Sequence, residues 1–274
     1  MTINWSKEVL LITGASSGLG QAVAVEAAKL GASAILVARD KERLGAVKND
    51  VEAAGGTGFS FAYDLHDTEG IPALYEAIKQ ESGLVPTMLV NNAGYNAGGF
   101  VPNTPVDVFK KNFDVNLFAP IAFIQAVLPD MLENRWGVIV DVIGAANYHS
   151  FPGNAAYCSS KVAIQAMHES LQTEMAGLPV KTVMFNPGSM ATRYNDNRLL
   201  DGRVGDYEYK SSGGKSPVDS AKALLKGIEQ GKPVVDCATG MDKIGRHLAY
   251  FVPWLVDKLL VDRNQALLKN RPFQ

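Results

Sequence analysis

Apolar and polar positions along the chain follow two rhythms. Seven short segments are dominated by apolar, often β-branched residues: Val9–Ile12, Ala34–Val37, Gly58–Ala62, Met88–Val90, Gly137–Val142, Lys181–Phe185 and Pro233–Asp236. Polar residues do not recur at every second position within them. They are therefore expected to be strands of a sheet covered on both faces. The longer segments between them carry helical spacing. Leu19, Val23, Ala27 and Leu30 fall on one stripe, and Gly31 stands where a helix would stop. Further helices are expected over about Thr104–Leu132 and about Ala155–Ala176. Strands alternating with helices predict an α/β fold, a doubly wound parallel sheet of about seven strands with right-handed crossovers. A single domain is expected to span residues 1–274.

Two segments break this rhythm. Tyr194–Ser216 is rich in Asn, Asp, Gly, Arg and Lys and has little apolar periodicity. A structureless stretch of that length inside a compact domain is usually a functional lid or a disordered loop, and a substrate lid is the favoured reading of residues 194–216. Residues 241–274 read as a helical extension whose most apolar part is His247–Val261. Pro253, Asp257 and Lys258 interrupt that part. It is read as packing on the protein or on a second subunit, with membrane-surface docking as the alternative.

The totals narrow the field. With 274 residues, 47% of them hydrophobic and 20% charged, the chain can bury a sizeable core. A net charge of −2 gives no electrostatic reason to expect nucleic acid as a partner. Met1 to Glu8 carry no apolar signal core, and no stretch reaches the roughly 18 uncharged apolar residues of a transmembrane segment. Cys158 and Cys237 are too few for a disulfide framework, so a reducing, cytoplasmic setting is expected. No His, Cys and Asp group has zinc-ligand spacing, and no metal is expected.

Candidate chemistry concentrates at the ends of the expected strands. The first runs through Thr13-Gly14-Ala15-Ser16-Ser17-Gly18-Leu19-Gly20 directly into a helix. Glycines permit a tight turn and a close backbone approach to a pyrophosphate, and the helix N-terminus offers N–H groups and a favourable dipole. The second strand ends in Val37-Ala38-Arg39-Asp40. An acidic residue there would hold the ribose hydroxyls of NAD, whereas a guanidinium suits the 2′-phosphate of NADP. Arg39 reads as the first residue off the strand, which favours NADP. If the strand ran one residue further, Asp40 would face the ribose and favour NAD. Tyr157 and Lys161 lie four apart on an expected helix and so project from one face. A free phenol ionises near ~10, and a neighbouring ammonium favours the phenolate. Asn116 stands four residues before Pro120, which has no N–H, so the Asn116 carbonyl loses its helical partner and is open to a water.

Taken in order, these segments resemble the short-chain dehydrogenase/reductase superfamily. Thr13 with Gly14, Gly18 and Gly20 matches T-G-x-x-x-G-x-G, and Asn91-Asn92-Ala93-Gly94 matches N-N-A-G. Tyr157 to Lys161 matches Y-x-x-x-K, and Pro187-Gly188 with Thr192 fits P-G-x-x-x-T. The likeness runs from about Val9 to Asp236. It implies a Rossmann-fold oxidoreductase that uses NADP(H), with NAD less favoured, to interconvert a carbonyl and an alcohol on a moderately apolar small molecule. Tyr157 would be the general acid/base and a contact of the cofactor, Lys161 its partner and a contact of the nicotinamide ribose, and Asn116 the holder of a relay water. Ser16, Ser17 and Leu19 would join the three glycines in holding the cofactor. Asp64 and Leu65 would meet the adenine, and Asn92, Ala93 and Gly94 would pass along its ribose. Pro187, Gly188 and Thr192 would lie by the nicotinamide. The resemblance also implies a homodimer or homotetramer formed through the helices over 104–132 and 155–176.

One position departs from the family pattern. The catalytic Ser of the superfamily, 13 positions before the Tyr, is Gly144 here, and no hydroxyl occurs between Gly137 and Ala146. Loss of an oxyanion donor costs on the order of 10²–10³ in rate. Either Asn147, Tyr148, His149, Ser150 or a lid residue replaces it, or the substrate carries its own donor or needs little polarisation. Otherwise the chain is a catalytically impaired NADP-binding regulatory protein. His168 is read as a surface or partner-face helix residue, and Phe100, Tyr148, Phe151 and Met190 as lining the substrate pocket.

Overall fold

The computed structural model describes residues 3–144, 150, 152–188, 190, 199–200, 215–238, 240, 244, 248–249, 251–263 and 265. The strands are β1 (Val9–Thr13), β2 (Ser33–Ala38), β3 (Gly58–Ala62), β4 (Met88–Asn91), β5 (Ala97–Gly98), β6 (Gly137–Val142), β7 (Val180–Asn186), β8 (Leu199–Leu200) and β9 (Val234–Asp236). The helices are α1 (Gly18–Ala28), α2 (Lys41–Ala53), α3 (Ile71–Ser82), α4 (Val106–Phe113), α5 (Ala119–Glu133), α6 (Ala155–Glu174), α7 (Pro217–Glu229) and α8 (Pro253–Arg263). Seven strands form one parallel sheet in the order β3-β2-β1-β4-β6-β7-β9. They are the seven expected runs, with ends that differ by a residue or so. The two-residue β5 and β8 pair separately.

Successive residues of a strand point to opposite faces. Leu10 and Ile12 of β1 pack with Val23, Ala27, Leu224 and Ile228, so α1 and α7 cover that face. Leu11 joins the opposite cluster with Ile78, Phe123, Val127 and Leu171, from α3, α5 and α6. Both faces are dry, which is why the strand sequences do not alternate.

Two helices differ from the sequence expectation. α1 ends at Ala28, so Leu30 lies beyond the apolar stripe and is 46% exposed, with Gly31 at a φ of 98° in the following turn. The run expected over 104–132 is interrupted by a π turn, Asp114–Phe118, between α4 and α5. There the Ala119 N–H reaches back to the Asp114 carbonyl, five residues away. This wider turn accommodates Pro120, which has no N–H to offer. By length and composition alone the helical run Val106–Glu133 could cross a membrane, and half of its most apolar window is buried within the fold, as in a core helix.

Of the segment expected to be a lid, 199–200 and 215–216 are the described residues. Of the C-terminal extension, α8 is the main described part, and Trp254 on it is 66% exposed.

Candidate active site

The strand order reverses between β1 and β4. In an open parallel sheet, the crevice beyond the C-terminal strand ends at such a reversal is where ligands bind. The register brings the expected motifs to that edge: Thr13 lies beside Val37, Asn91 beside Asp141, Val142 beside Phe185 and Asn186 beside Asp236.

The turn after β1 is held by its own backbone and by the loop after β4. Gly14 has a φ of 65° and Gly18 of 59°, conformations that L side chains rarely adopt. A Cβ on Gly14 would lie 2.8 Å from the Ala93 α-carbon, and one on Gly20 would lie 2.5 Å from the Gly14 carbonyl oxygen. The Thr13 hydroxyl accepts from the N–H groups of Asn92 at 3.1 Å and Ala93 at 3.0 Å. The Asn92 amide donates to the carbonyls of Thr13 at 2.9 Å and Gly14 at 3.3 Å. Ser17 caps α1 without a side-chain hydrogen bond, and no acidic residue occupies the first turn. The first N–H groups of a helix have no partner inside it and sit at the positive end of its dipole. Half-buried Ser16, Ser17 and Gly18 border this cradle, while the Leu19 side chain is in the core and leaves only backbone to a ligand. The arrangement fits a pyrophosphate.

β2 ends at Ala38, and Arg39 is the exposed residue immediately after it. Asp40 is the N-cap of α2: its carboxylate accepts from the Arg43 N–H at 3.0 Å and pairs with the Arg43 Nε at 3.1 Å. Its acid is thus committed to its own helix. Asp64 is exposed and accepts from the His66 N–H at 3.1 Å in a local turn, and Leu65 is buried. Gly188 has a φ of 73° and its N–H donates to Asn186 Oδ1 at 3.1 Å, beside Pro187. Thr192 lies outside the described residues.

Tyr157 and Lys161 share one face of α6, as the spacing predicts. Tyr157 is half-buried, whereas Lys161 is 5% exposed and donates from Nζ to the Val142 carbonyl at 2.9 Å. Burial pulls the Lys161 ammonium down to about 8, and the charge of Asp141 acts against that fall. A Cβ on Gly94 would lie 3.5 Å from Lys161 Nζ and 3.0 Å from Asn116 Oδ1, so the glycine is flanked by both. Asn116, buried in the π turn, accepts from the Tyr95 N–H at 3.1 Å and donates to Ser160 Oγ at 2.9 Å and Asn112 Oδ1 at 3.0 Å. Its side chain is saturated by protein groups and ties α4 and α6 to the loop after β4. The relay water assigned to this residue would therefore have to use the backbone.

Gly144 follows β6 with a φ of 81°, and a Cβ there would be 3.5 Å from the Tyr157 hydroxyl oxygen. The position thus borders the Tyr157 hydroxyl in a backbone state suited to glycine. Residues 145–149 and 151, which include the Asn147, Tyr148, His149 and Phe151 of the sequence reading, lie outside the described residues. Ser150 is exposed, Phe100 is buried, and Met190 packs against the core.

His168 is neither a surface nor a partner-face residue. It is fully buried and bonded to Asp141. Sequence reasoning misplaced His168 and passed over Asp141, Asn112 and Ser160. The available signal was Asp141 itself, an acid inside an otherwise apolar strand, which requires a buried partner.

A family model described as short chain dehydrogenase matches residues 8–201. A dehydrogenase/reductase SDR family protein 7-like from Anopheles gambiae is 32% identical over 92% of this chain and 82% of that protein. A metagenomic short-chain oxidoreductase solved in complex with NADP is 28% identical, with a TM-score of 0.68 over 81% of this chain and 90% of that one. A short chain dehydrogenase/reductase from Burkholderia phymatum, solved with NAD, has a TM-score of 0.82 at 24% identity over 93% of this chain and 96% of that one, a likeness of fold alone.

Proposed function

The chain belongs to the short chain dehydrogenase family, and from that premise we propose that it is an NADP(H)-dependent oxidoreductase interconverting a carbonyl and an alcohol on a moderately apolar small molecule. The observation that carries the reading is the pairing of a half-buried Tyr157 with a buried Lys161 on one helix face, beside a glycine turn shaped for a pyrophosphate. When bound, the nicotinamide supplies or accepts the hydride.

Gly14, Ser16, Ser17, Gly18, Leu19 and Gly20 hold the pyrophosphate, largely through backbone N–H groups. Arg39 pairs with the 2′-phosphate by charge-assisted hydrogen bonds. The capping role of Asp40 supports that choice, because it engages the acid that would otherwise favour NAD. Asp64 and Leu65 flank the adenine, Asn92, Ala93 and Gly94 its ribose, and Pro187, Gly188 and Thr192 the nicotinamide. In reduction Tyr157 gives its hydroxyl proton to the carbonyl oxygen, and in oxidation its phenolate takes the proton of the alcohol. The Lys161 ammonium favours the phenolate electrostatically. Asn116 positions α6 through Ser160. Gly144 supplies no side-chain donor, so polarisation of the substrate oxygen falls to Tyr157, with Asn147, Tyr148, His149, Ser150 or a lid residue as the candidates for a second donor. Exposed Val106, Phe118 and Val162 on the helices over 106–133 and 155–174 support a homodimer or homotetramer, and the setting proposed is cytoplasmic.

Gly144 also supports a second reading, an NADP-binding protein without efficient turnover. The two are separated by following NADPH and NADH consumption on a panel of ketones and aldehydes. The oxidoreductase reading expects turnover with NADPH favoured. Tight NADPH binding without turnover on any carbonyl would give the second reading the field, and a preference for NADH would remove Arg39 from its assigned role.

A further inference from the structure

Behind the catalytic helix the sheet encloses a charged pair that the proposed reaction does not itself consume. Asp141 of β6 and His168 of α6 are both 0% exposed. Asp141 Oδ2 lies 2.6 Å from His168 Nδ1, and Oδ1 accepts from the Asn91 amide at 2.8 Å. His168 Nε2 has no hydrogen-bond partner among the described residues. Seven residues earlier on α6, and so on the same face, stands Lys161. Its Nζ is bonded at 2.9 Å to the carbonyl of Val142, the residue next to Asp141.

A buried carboxylate is stable only when paired or well hydrogen-bonded, and the same holds for a buried ammonium. With one proton, on Nδ1, His168 donates to Asp141 and the pair keeps a single negative charge. The orphaned Nε2 agrees with that state, because an imidazolium would place an unpaired N–H in a dry site, at greater cost than an unused lone pair. The other charged groups on elements packed against α6 are elsewhere. Asp107, Lys110 and Lys111 of α4 are exposed, Asp114 of the π turn and Lys181 of β7 are half-buried, and Glu169 and Glu174 of α6 itself face solvent.

We propose that Asp141, held in place by His168 and Asn91, is the buried counter-charge of Lys161, a positioning residue that keeps the ammonium protonated beside Tyr157. The proposal rests on the reading of Tyr157 and Lys161 as the catalytic pair. Asp141 is also the influence that opposes the fall of Lys161 toward about 8. Without that charge the lysine would lose its proton at lower pH, and Tyr157 would lose the cation that favours its phenolate.

Lys161 can be titrated without turnover. The full-length protein, labelled with ¹³C-lysine, is followed by NMR across the alkaline range, with Lys161→Arg assigning the signal. Asp141→Asn is expected to lower the Lys161 midpoint by about one pH unit or more. His168→Gln, which removes the imidazole but keeps the carboxylate, is expected to move it by less than about half as much. A midpoint unchanged in Asp141→Asn overturns the proposal, as does an equal shift in both variants, which would make packing rather than charge the cause. If Asp141→Asn does not fold, the ¹⁵N shifts of His168 in the wild type decide: a single proton on Nδ1 supports the counter-charge, and an imidazolium at neutral pH overturns it. With an alcohol substrate, the rise of kcat in Asp141→Asn is expected at higher pH with KM little changed. A protein that oxidises nothing defeats the functional reading, while the lysine titration still decides this one.

Discussion

The two halves of the C-terminal sheet edge are built differently. Over β1 and β4 the geometry is fixed by backbone: glycines whose added Cβ would collide with neighbouring backbone, and a Thr13–Asn92 clasp joining two loops. Over β6 and α6 it is fixed by buried side chains: Asn116 is bonded to Ser160, Asp141 to His168, and Lys161 to the Val142 carbonyl. The first half is suited to a rigid, uncharged cradle for an anion. The second places an ammonium in a dry site, where its electrostatic effect on a neighbour is large. Binding and proton transfer should therefore separate under mutation.

Tyr157→Phe should give the largest effect. Turnover is expected to fall by about 10²–10⁴-fold, the usual share of a general acid/base, with NADPH affinity retained. Loss of affinity in step with activity would join the two halves again. Lys161→Met sharpens the contrast through stability. A fall from 10.5 to about 8 for a fully buried ammonium corresponds to roughly 3 kcal/mol against folding at about 1.4 kcal/mol per pH unit. The native protein releases this proton first, so wild-type stability should rise between about pH 8 and 10.5. Lys161→Met has no ammonium to release, so its stability, read by urea unfolding, should lack that rise across the window.

Arg39→Ala tests the cradle half. Removing a charge-assisted hydrogen bond, worth about 1.5–3 kcal/mol, should weaken NADPH binding by about 10–100-fold and leave NADH nearly unchanged in the same titration. Gly144→Ala should give the smallest effect. Its φ of 81° makes any side chain strained, at about 1–2 kcal/mol of stability by thermal unfolding. The fold should survive, because among the described residues the added Cβ meets only the Tyr157 hydroxyl, at ordinary contact distance.

Legibility in the sequence followed the same division. The seven strands were readable because both sheet faces are dry and the runs are apolar. The glycine turn, and the end of the second strand just before Arg39, were readable because a tight turn and a strand end are local. Leu30 misled because periodicity continues past the residue at which a helix stops. The π turn was signalled by Pro120 only as a weakness in the ladder, not by its form. Asp141 and His168 lie 27 residues apart, on a strand and a helix that meet only in the folded sheet, so neither position alone revealed the other. Gly144 read as a missing hydroxyl. The structure adds that its backbone has turned left-handed, a property that composition cannot express.

The central claim is that Tyr157 moves the proton while NADPH is held mainly by other residues. A single-turnover experiment tests it most directly. NADPH-loaded wild type and Tyr157→Phe are mixed with an accepted carbonyl substrate, and NADPH affinity is measured on the same samples. The account expects rapid NADPH oxidation in the wild type, little in Tyr157→Phe, and equal affinities. Tyr157→Phe oxidising NADPH at the wild-type rate would contradict it.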